Sequence, residues 1–300
     1  MNTVFYLFNK SFKNINNLTI EELGEKIYDF FELCDNIKDS GDEIFKSNSI
    51  YEEQFFDNYA LYEIMYKERG IALKPEHKRA LLKLDHITKT SFNDVQMTEQ
   101  LNETTESNLY GLLCFNRIET PDKIDSRLLI SVQQDWYSFH RYYLYIFYIS
   151  EESFFERCRK YFPELFFHER NRYALKTLSG GLELFSETIV SHLEKLNDEF
   201  RKYYNYQSIA QSIDKIIQAF CSANNIKGSL QGENHDQLYF EFYNTQTKTL
   251  EKICCDPHLK LRTPDRPGNT QRYENRIYFH QGKKGVQGGK ILIGHIGEHL

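Results

Sequence analysis

At residue 237 the hydrophobic pattern of this 300-residue chain changes period. Upstream, apolar residues recur every three or four positions, as on one face of a helix; downstream they alternate, as on a pleated strand. One segment cannot serve both periods. The chain is therefore expected to be α+β, with a mostly helical first part followed by a helix and an antiparallel sheet of about four strands.

The helical part reads in pieces. Residues 20–34 (IEELGEKIYDFFELC) place apolar side chains at 20, 23, 27, 30, 31 and 34, with Thr19 as N-cap and Glu22 at the third helical position. Residues 52–67 and 76–84 continue the pattern, whereas 101–126, with its Asn, Thr, Ser and Pro121, reads as an irregular connection. The apolar run 142–149 (YYLYIFYI) is eight residues long, far short of the roughly 20 that cross a bilayer, so it predicts a buried helix turn or strand. After Ser179-Gly180-Gly181 come two amphipathic helices, 182–203 and 208–222, the second ended by Asn224-Asn225. The domain boundary is expected between them, giving units 1–204 and 205–300.

Beyond it, LYFEFY (238–243), a strand over 250–262 broken at Asp256-Pro257, RIYFH (276–280) and KILIG (290–294) are separated by turns. Nine of the 15 glycines lie at or beyond Gly228, which fits a turn-rich sheet. Alternation puts His258, Lys260 and Arg262 on one face and Leu259 and Leu261 on the other; Arg276, Tyr278 and His280 likewise oppose Ile277 and Phe279. One face is then apolar and one basic. Strict parity puts His295 with Ile291 and Ile293 on the apolar side, unless Gly294 bends the strand.

Charge separates the same two regions. Residues 201–300 hold 14 Lys and Arg against 9 Asp and Glu, a net of +5, and residues 1–200 hold 23 against 34, a net of −11. The basic end suits a polyanion. Six scattered cysteines without framework spacing, and a start lacking a signal pattern, predict a reducing, cytoplasmic setting with no membrane attachment.

Imidazole and guanidinium groups converging on one sheet can hold a phosphodiester and move protons around it near neutral pH. Metal-free RNA cleavage needs a base for the 2′-OH, a cation for the phosphorane and an acid for the 5′ oxygen. His258 is the expected base, Arg276 and Lys260 the clamp, and His299 or His295 the acid. Arg262, Tyr273, Tyr278, His280, Lys283 and Lys284 are expected to contact the RNA through charge and stacking. No cofactor is expected. Cys255-x-x-His258 with His295-x-x-x-His299 has zinc-compatible spacing and stands as the alternative use of these side chains. Phosphate-binding glycine loops, dinucleotide fingerprints, nucleophile elbows and HExxH are absent. The cluster His168-Glu169-Arg170-Asn171-Arg172 reads as a surface helix end.

The order of helix, antiparallel strands, a strand opening Arg-Ile-Tyr-Phe, a hairpin, an aliphatic strand and a closing histidine resembles the RelE superfamily of bacterial mRNA-cleaving toxins, in particular its YoeB-like branch. The resemblance covers residues 205–300. It implies that Arg276 neutralises the phosphate and that His299 or His295 is the general acid, while the branch's Glu base has no counterpart here. The glycine-rich hairpin after RIYFH, the stretch CCDPHLKL and the long N-terminal part also depart from the family. The implied function is a ribonuclease toxin or antiviral defence effector acting on RNA, including ribosome-bound mRNA. Its N-terminal part would restrain or trigger it, or dock an antitoxin or other regulatory protein. The other function class is a non-catalytic adaptor whose sheet binds protein or nucleic acid.

Overall fold

The computed structural model describes residues 2–13, 15, 17–67, 72–117, 124–147, 149–204, 212–231, 236–261 and 275–300. The chain is an α+β protein that forms two compact units, Met1–His140 and Arg141–Leu300. The expected boundary at 204/205 therefore lies inside the second unit. Elements between Arg141 and Tyr204 belong there because they complete its sheet and cover one of its faces.

The first unit is rich in helix, as expected, but it is built round a parallel sheet that the sequence reading did not anticipate. Its elements run β1 (Asn2–Leu7), α1 (Ile20–Asp39), β2 (Glu43–Ser47), β3 (Gln54–Phe56), β4 (Tyr59–Ala60), α2 (Leu61–Lys67), α3 (Pro75–Leu82), β5 (Thr88–Thr90), α4 (Asp94–Gln100), β6 (Asn108–Leu113) and β7 (Leu129–Ile130). α5 (Gln133–Ile146) then spans the boundary. Five strands form an all-parallel sheet in the order β5-β2-β1-β6-β7. Strands of such a sheet are buried on both faces and read as short apolar runs without alternation; β1 shows this with five consecutive buried residues. α1 starts as its sequence predicts. Thr19 Oγ1 accepts from Glu22 N (3.2 Å) and Glu22 Oε2 accepts from Thr19 N (2.8 Å), a reciprocal cap. Asp42, just before β2, accepts from Trp136 Nε1 (3.0 Å) and lies 2.8 Å from His140 Nε2, which pins α5 to the sheet.

The second unit contains α6 (Glu151–Tyr161), β8 (Leu165–Phe167), α7 (Asn171–Ala174), α8 (Leu182–Asp198), α9 (Ile213–Ala223), β9 (Gly228–Ser229), β10 (Tyr239–Asn244), β11 (Thr249–Cys254), β12 (His258–Leu261), β13 (Asn275–His280) and β14 (Ile291–Gly297). Its main sheet has the order β8-β14-β13-β12-β9, antiparallel except for the parallel β8–β14 pair. β10 and β11 pair only with each other, as a separate hairpin rather than part of the expected meander. One face of the sheet, with Leu259, Leu261, Ile277, Phe279, Ile291, Ile293 and Ile296, packs on α6, α8 and α9. Each such fully buried side chain contributes about 2 kcal/mol. The opposite face carries Tyr278 and Leu292 against Phe240, Phe242 and Cys255 of the hairpin region. It is therefore covered by a second, smaller core, where the sequence predicted a basic face.

All six cysteines are unbridged. Among the described residues no helix is long and apolar enough to cross a membrane.

Candidate active site

Register decides which polar side chains meet. Ser229 pairs with His258, His258 with Tyr278 and Tyr278 with His295, so one row crosses four strands. The next row pairs Lys260 with Arg276 and Arg276 with Gly297. The His258 and Tyr278 rings lie 5.2 Å apart and the Tyr278 and His295 rings 6.0 Å apart. Tyr278 is 0 % exposed, His258 1 %, His295 3 % and Arg276 7 %.

His295 reaches this face because the strand is bulged. Tyr278 pairs with His295 but Phe279 pairs with Ile293, leaving Gly294 as the extra residue. The bulge reverses parity, so His295 joins Tyr278 while Ile293 and Ile296 stay in the helix-facing core. Buried Asn171 holds it in place, with Nδ2 donating to the carbonyls of Ile293 (3.0 Å) and Gly294 (3.3 Å). A Cβ at 294 would lie 2.7 Å from the Phe240 ring and 2.9 Å from Cys255 Sγ, both fixed in the second core. Gly294→Ala is expected to cost about 2 kcal/mol or more, read as a lower urea midpoint at unchanged slope. An unchanged midpoint would show that the hairpin yields to the methyl group.

Above the row sits a hydrogen-bonded chain. Arg276 Nη1 donates to Gln231 Oε1 (2.6 Å) and to the Tyr278 hydroxyl (3.3 Å). Gln231 Nε2 lies 3.2 Å from His299 Nε2, and Leu300 N donates to the Tyr278 hydroxyl (3.2 Å). Gln231 is in turn anchored by its backbone N–H, which donates to Asp256 Oδ1 (2.6 Å). Arg276 Nε is buried without a hydrogen-bond partner, an unmet donor of the kind a bound anion satisfies. Lys260 and Arg276 are like charges directly opposite on neighbouring strands, so that end of the row is basic.

The imidazoles divide by exposure. His258 Nδ1 donates to the Asp256 carbonyl (3.3 Å), which leaves Nε2 bare to accept from Ser229 Oγ (3.1 Å). Burial, then the neighbouring Arg276 charge, pushes the His258 pKa down to about 4. His295 Nε2 donates to the Glu298 carbonyl (3.0 Å) and its Nδ1 is buried without a partner; burial holds its pKa at about 4 too. Both rings are neutral at pH 7. His299 is half-buried, at the edge of the cluster.

The expected residues separate accordingly. His258, Lys260, Arg276, Tyr278, His295 and His299 come together. His280 lies at the other end of β13, roughly 13 Å from Arg276 at strand rise. It accepts from Gly282 N through Nδ1 (3.1 Å), and burial holds its pKa at about 4. Lys283 is exposed and ion-paired with Glu251, and Lys284 is exposed in the same turn, so these three do not join the cluster. Arg262 and Tyr273 lie outside the described residues.

The zinc alternative is not assembled. Among the described residues no three His, Cys, Asp or Glu side chains are arranged to hold a metal. His258 and His295 direct their Nε2 atoms to Ser229 and Glu298, on opposite sides of Tyr278. The Cys255 thiol is kept protonated by burial. The 168–172 cluster does begin the short helix α7, with Arg172 ion-paired to Glu152 and Glu156. Its Arg170 charge also helps depress His295.

Sequence reasoning missed Ser229 and Gln231. β9 is two residues long, too short to show a period, and only the Gly228 beside it marks a close approach. A Cβ there would meet the His258 carbonyl at 2.8 Å. No family model, curated protein or solved structure matches the chain.

Proposed function

We propose that the second unit is a metal-independent endoribonuclease, acting in the cytoplasm as a toxin or defence effector of the kind the RelE resemblance implies. The observation that carries this reading is the juxtaposition of Arg276, with its unmet buried donor, with the His258 and His295 imidazoles on one sheet face and His299 at its edge. In this reading Arg276, with Lys260 opposite, binds the scissile phosphodiester and neutralises the phosphorane. His299 protonates the departing 5′ oxygen. The 2′-OH gives its proton to His258 Nε2 by way of the Ser229 hydroxyl. An anion bound at Arg276 offsets the second cause of the low His258 pKa and so makes that nitrogen a better base. His295 and Tyr278 hold the row in register.

The test uses the full chain, because β8 and α8 belong to the same unit as the site. Purified protein with excess chelator, incubated with single-stranded RNA, is expected to yield 2′,3′-cyclic phosphate and 5′-hydroxyl ends. His299→Ala should lower the rate about 10²- to 10⁴-fold. Parallel reactions with translating ribosomes separate free RNA from ribosome-bound mRNA as substrate. RNA retained in an anisotropy assay without cleavage, in either setting, would replace the nuclease with the adaptor reading. Growth arrest on expression, relieved by co-expression of an inhibitor protein, would add the toxin assignment and its regulatory partner.

A further inference from the structure

We propose that the first unit carries a binding site for a small organic monocarboxylate with an aromatic or branched apolar body, in the cavity beyond the carboxyl ends of β6 and β7. In the order β5-β2-β1-β6-β7 the direction of winding reverses between β1 and β6. Open parallel sheets bind ligands in the crevice outside the strand ends at such a reversal. Here that crevice is a cavity of about 540 Å³ lined by Lys26, Phe30, Phe115, Asn116, Ser131 and Val132, among others. This volume fits a small metabolite.

Charge at the wall selects the ligand. Lys26 Nζ sits 5.3 Å from the centroid of the Phe115 ring, half-buried, with no carboxylate in ion-pair range among the described residues. The nearby carboxylates are turned elsewhere: Glu21 to Lys74 (2.9 Å), Glu22 to the Thr19 cap (2.8 Å) and Glu25 to His77 (3.5 Å). The other lining cation, Arg117, is already paired with Asp135 (2.9 Å). Burial lowers the Lys26 pKa, as expected of an ammonium short of a counter-ion. Phe30 and Phe115, with ring centroids 5.4 Å apart, supply an apolar floor.

A phosphate is disfavoured on two counts. The backbone N–H groups of Asn9 (3.0 Å) and Lys10 (3.2 Å), at the end of β1, already donate to Asp94. Phosphates at such sheet ends are ordinarily held by free backbone N–H groups after the first strand, and these two are taken. Glu25 and Asp29 on the rim also repel a dianion more than a monoanion.

Calorimetric titration of the full chain with benzoate, benzamide, benzylamine and phenyl phosphate tests this. Benzoate is expected to bind with a Kd of about 1 mM or tighter, and the other three at least about tenfold more weakly. Lys26→Met should weaken benzoate about tenfold without lowering the melting temperature, since it removes an unpaired cation. Val132→Trp, which fills the cavity and keeps Lys26, should abolish binding. Absence of benzoate binding, equal binding by Lys26→Met, or tighter binding of benzylamine or phenyl phosphate would each overturn the proposal. None of these readouts involves RNA, so the nuclease reading stands or falls separately.

Discussion

Below pH 6.5 the second unit is expected to lose stability steadily and to unfold near pH 5. His192, His258, His280 and His295 are largely buried, and burial holds each pKa at about 4. In the unfolded chain each titrates near 6.5. Between these values the unfolded state binds more protons than the folded one, so falling pH favours unfolding. The stability is fully present above the unfolded pKa and lost as pH drops towards the folded one. At pH 5 the penalty is about 2 kcal/mol for each imidazole. About 8 kcal/mol for the four is comparable with the 5–15 kcal/mol that typically holds a domain together. Glu194, whose carboxyl burial raises, works in the opposite direction and offsets part of the loss. Urea midpoints followed by circular dichroism from pH 7.5 to 4.5 measure the slope, and His192→Phe should remove about a quarter of it. A midpoint unchanged down to pH 4.5 would mean that these rings are solvated and that the rows of the sheet are wrongly packed.

The sheet that carries His258, His280 and His295 was legible in the sequence because its strands alternate. HLKL and NRIYFH put their odd and even side chains into two different cores, and period-two parity is what a one-dimensional pattern records best. Even the bulge had a local sign: Gly294 stands where His295 would otherwise fall on the wrong face. The parallel sheet of the first unit left no such trace. NTVFYL reads as an apolar run, NLYGLL lies within a polar stretch and β7 is two residues long. Strands buried on both sides have no period to find. The true extent of the second unit was hidden for another reason. β8 joins β14 by a parallel pairing between residues 165–167 and 291–293, a contact that no local signal encodes. Ser229 and Gln231 entered the site the same way, through a short edge strand defined only by its partner.

Replacing Arg276 separates catalysis from packing. Arg276→Met removes the guanidinium that the proposed mechanism sets against the phosphorane, and is expected to lower kcat/KM for RNA cleavage about 10³-fold, or about 4 kcal/mol. Arg276→Lys keeps a charge but loses the planar fork that reaches Gln231, Tyr278 and the anion together, so it should recover only part of the rate. A structural role alone would predict similar rates per folded molecule. The pH profile supplies a readout that packing cannot imitate: Arg276 is the second cause of the low His258 pKa, so its removal should move the acidic limb of the rate profile upward. Arg276→Met also removes one of two like charges facing each other across β12 and β13, which limits the cost to the fold. A variant that cleaves at the wild-type rate, with its acidic limb unmoved, would show that the phosphate is held elsewhere and that the row from Ser229 to His295 only joins the sheet to its hairpin.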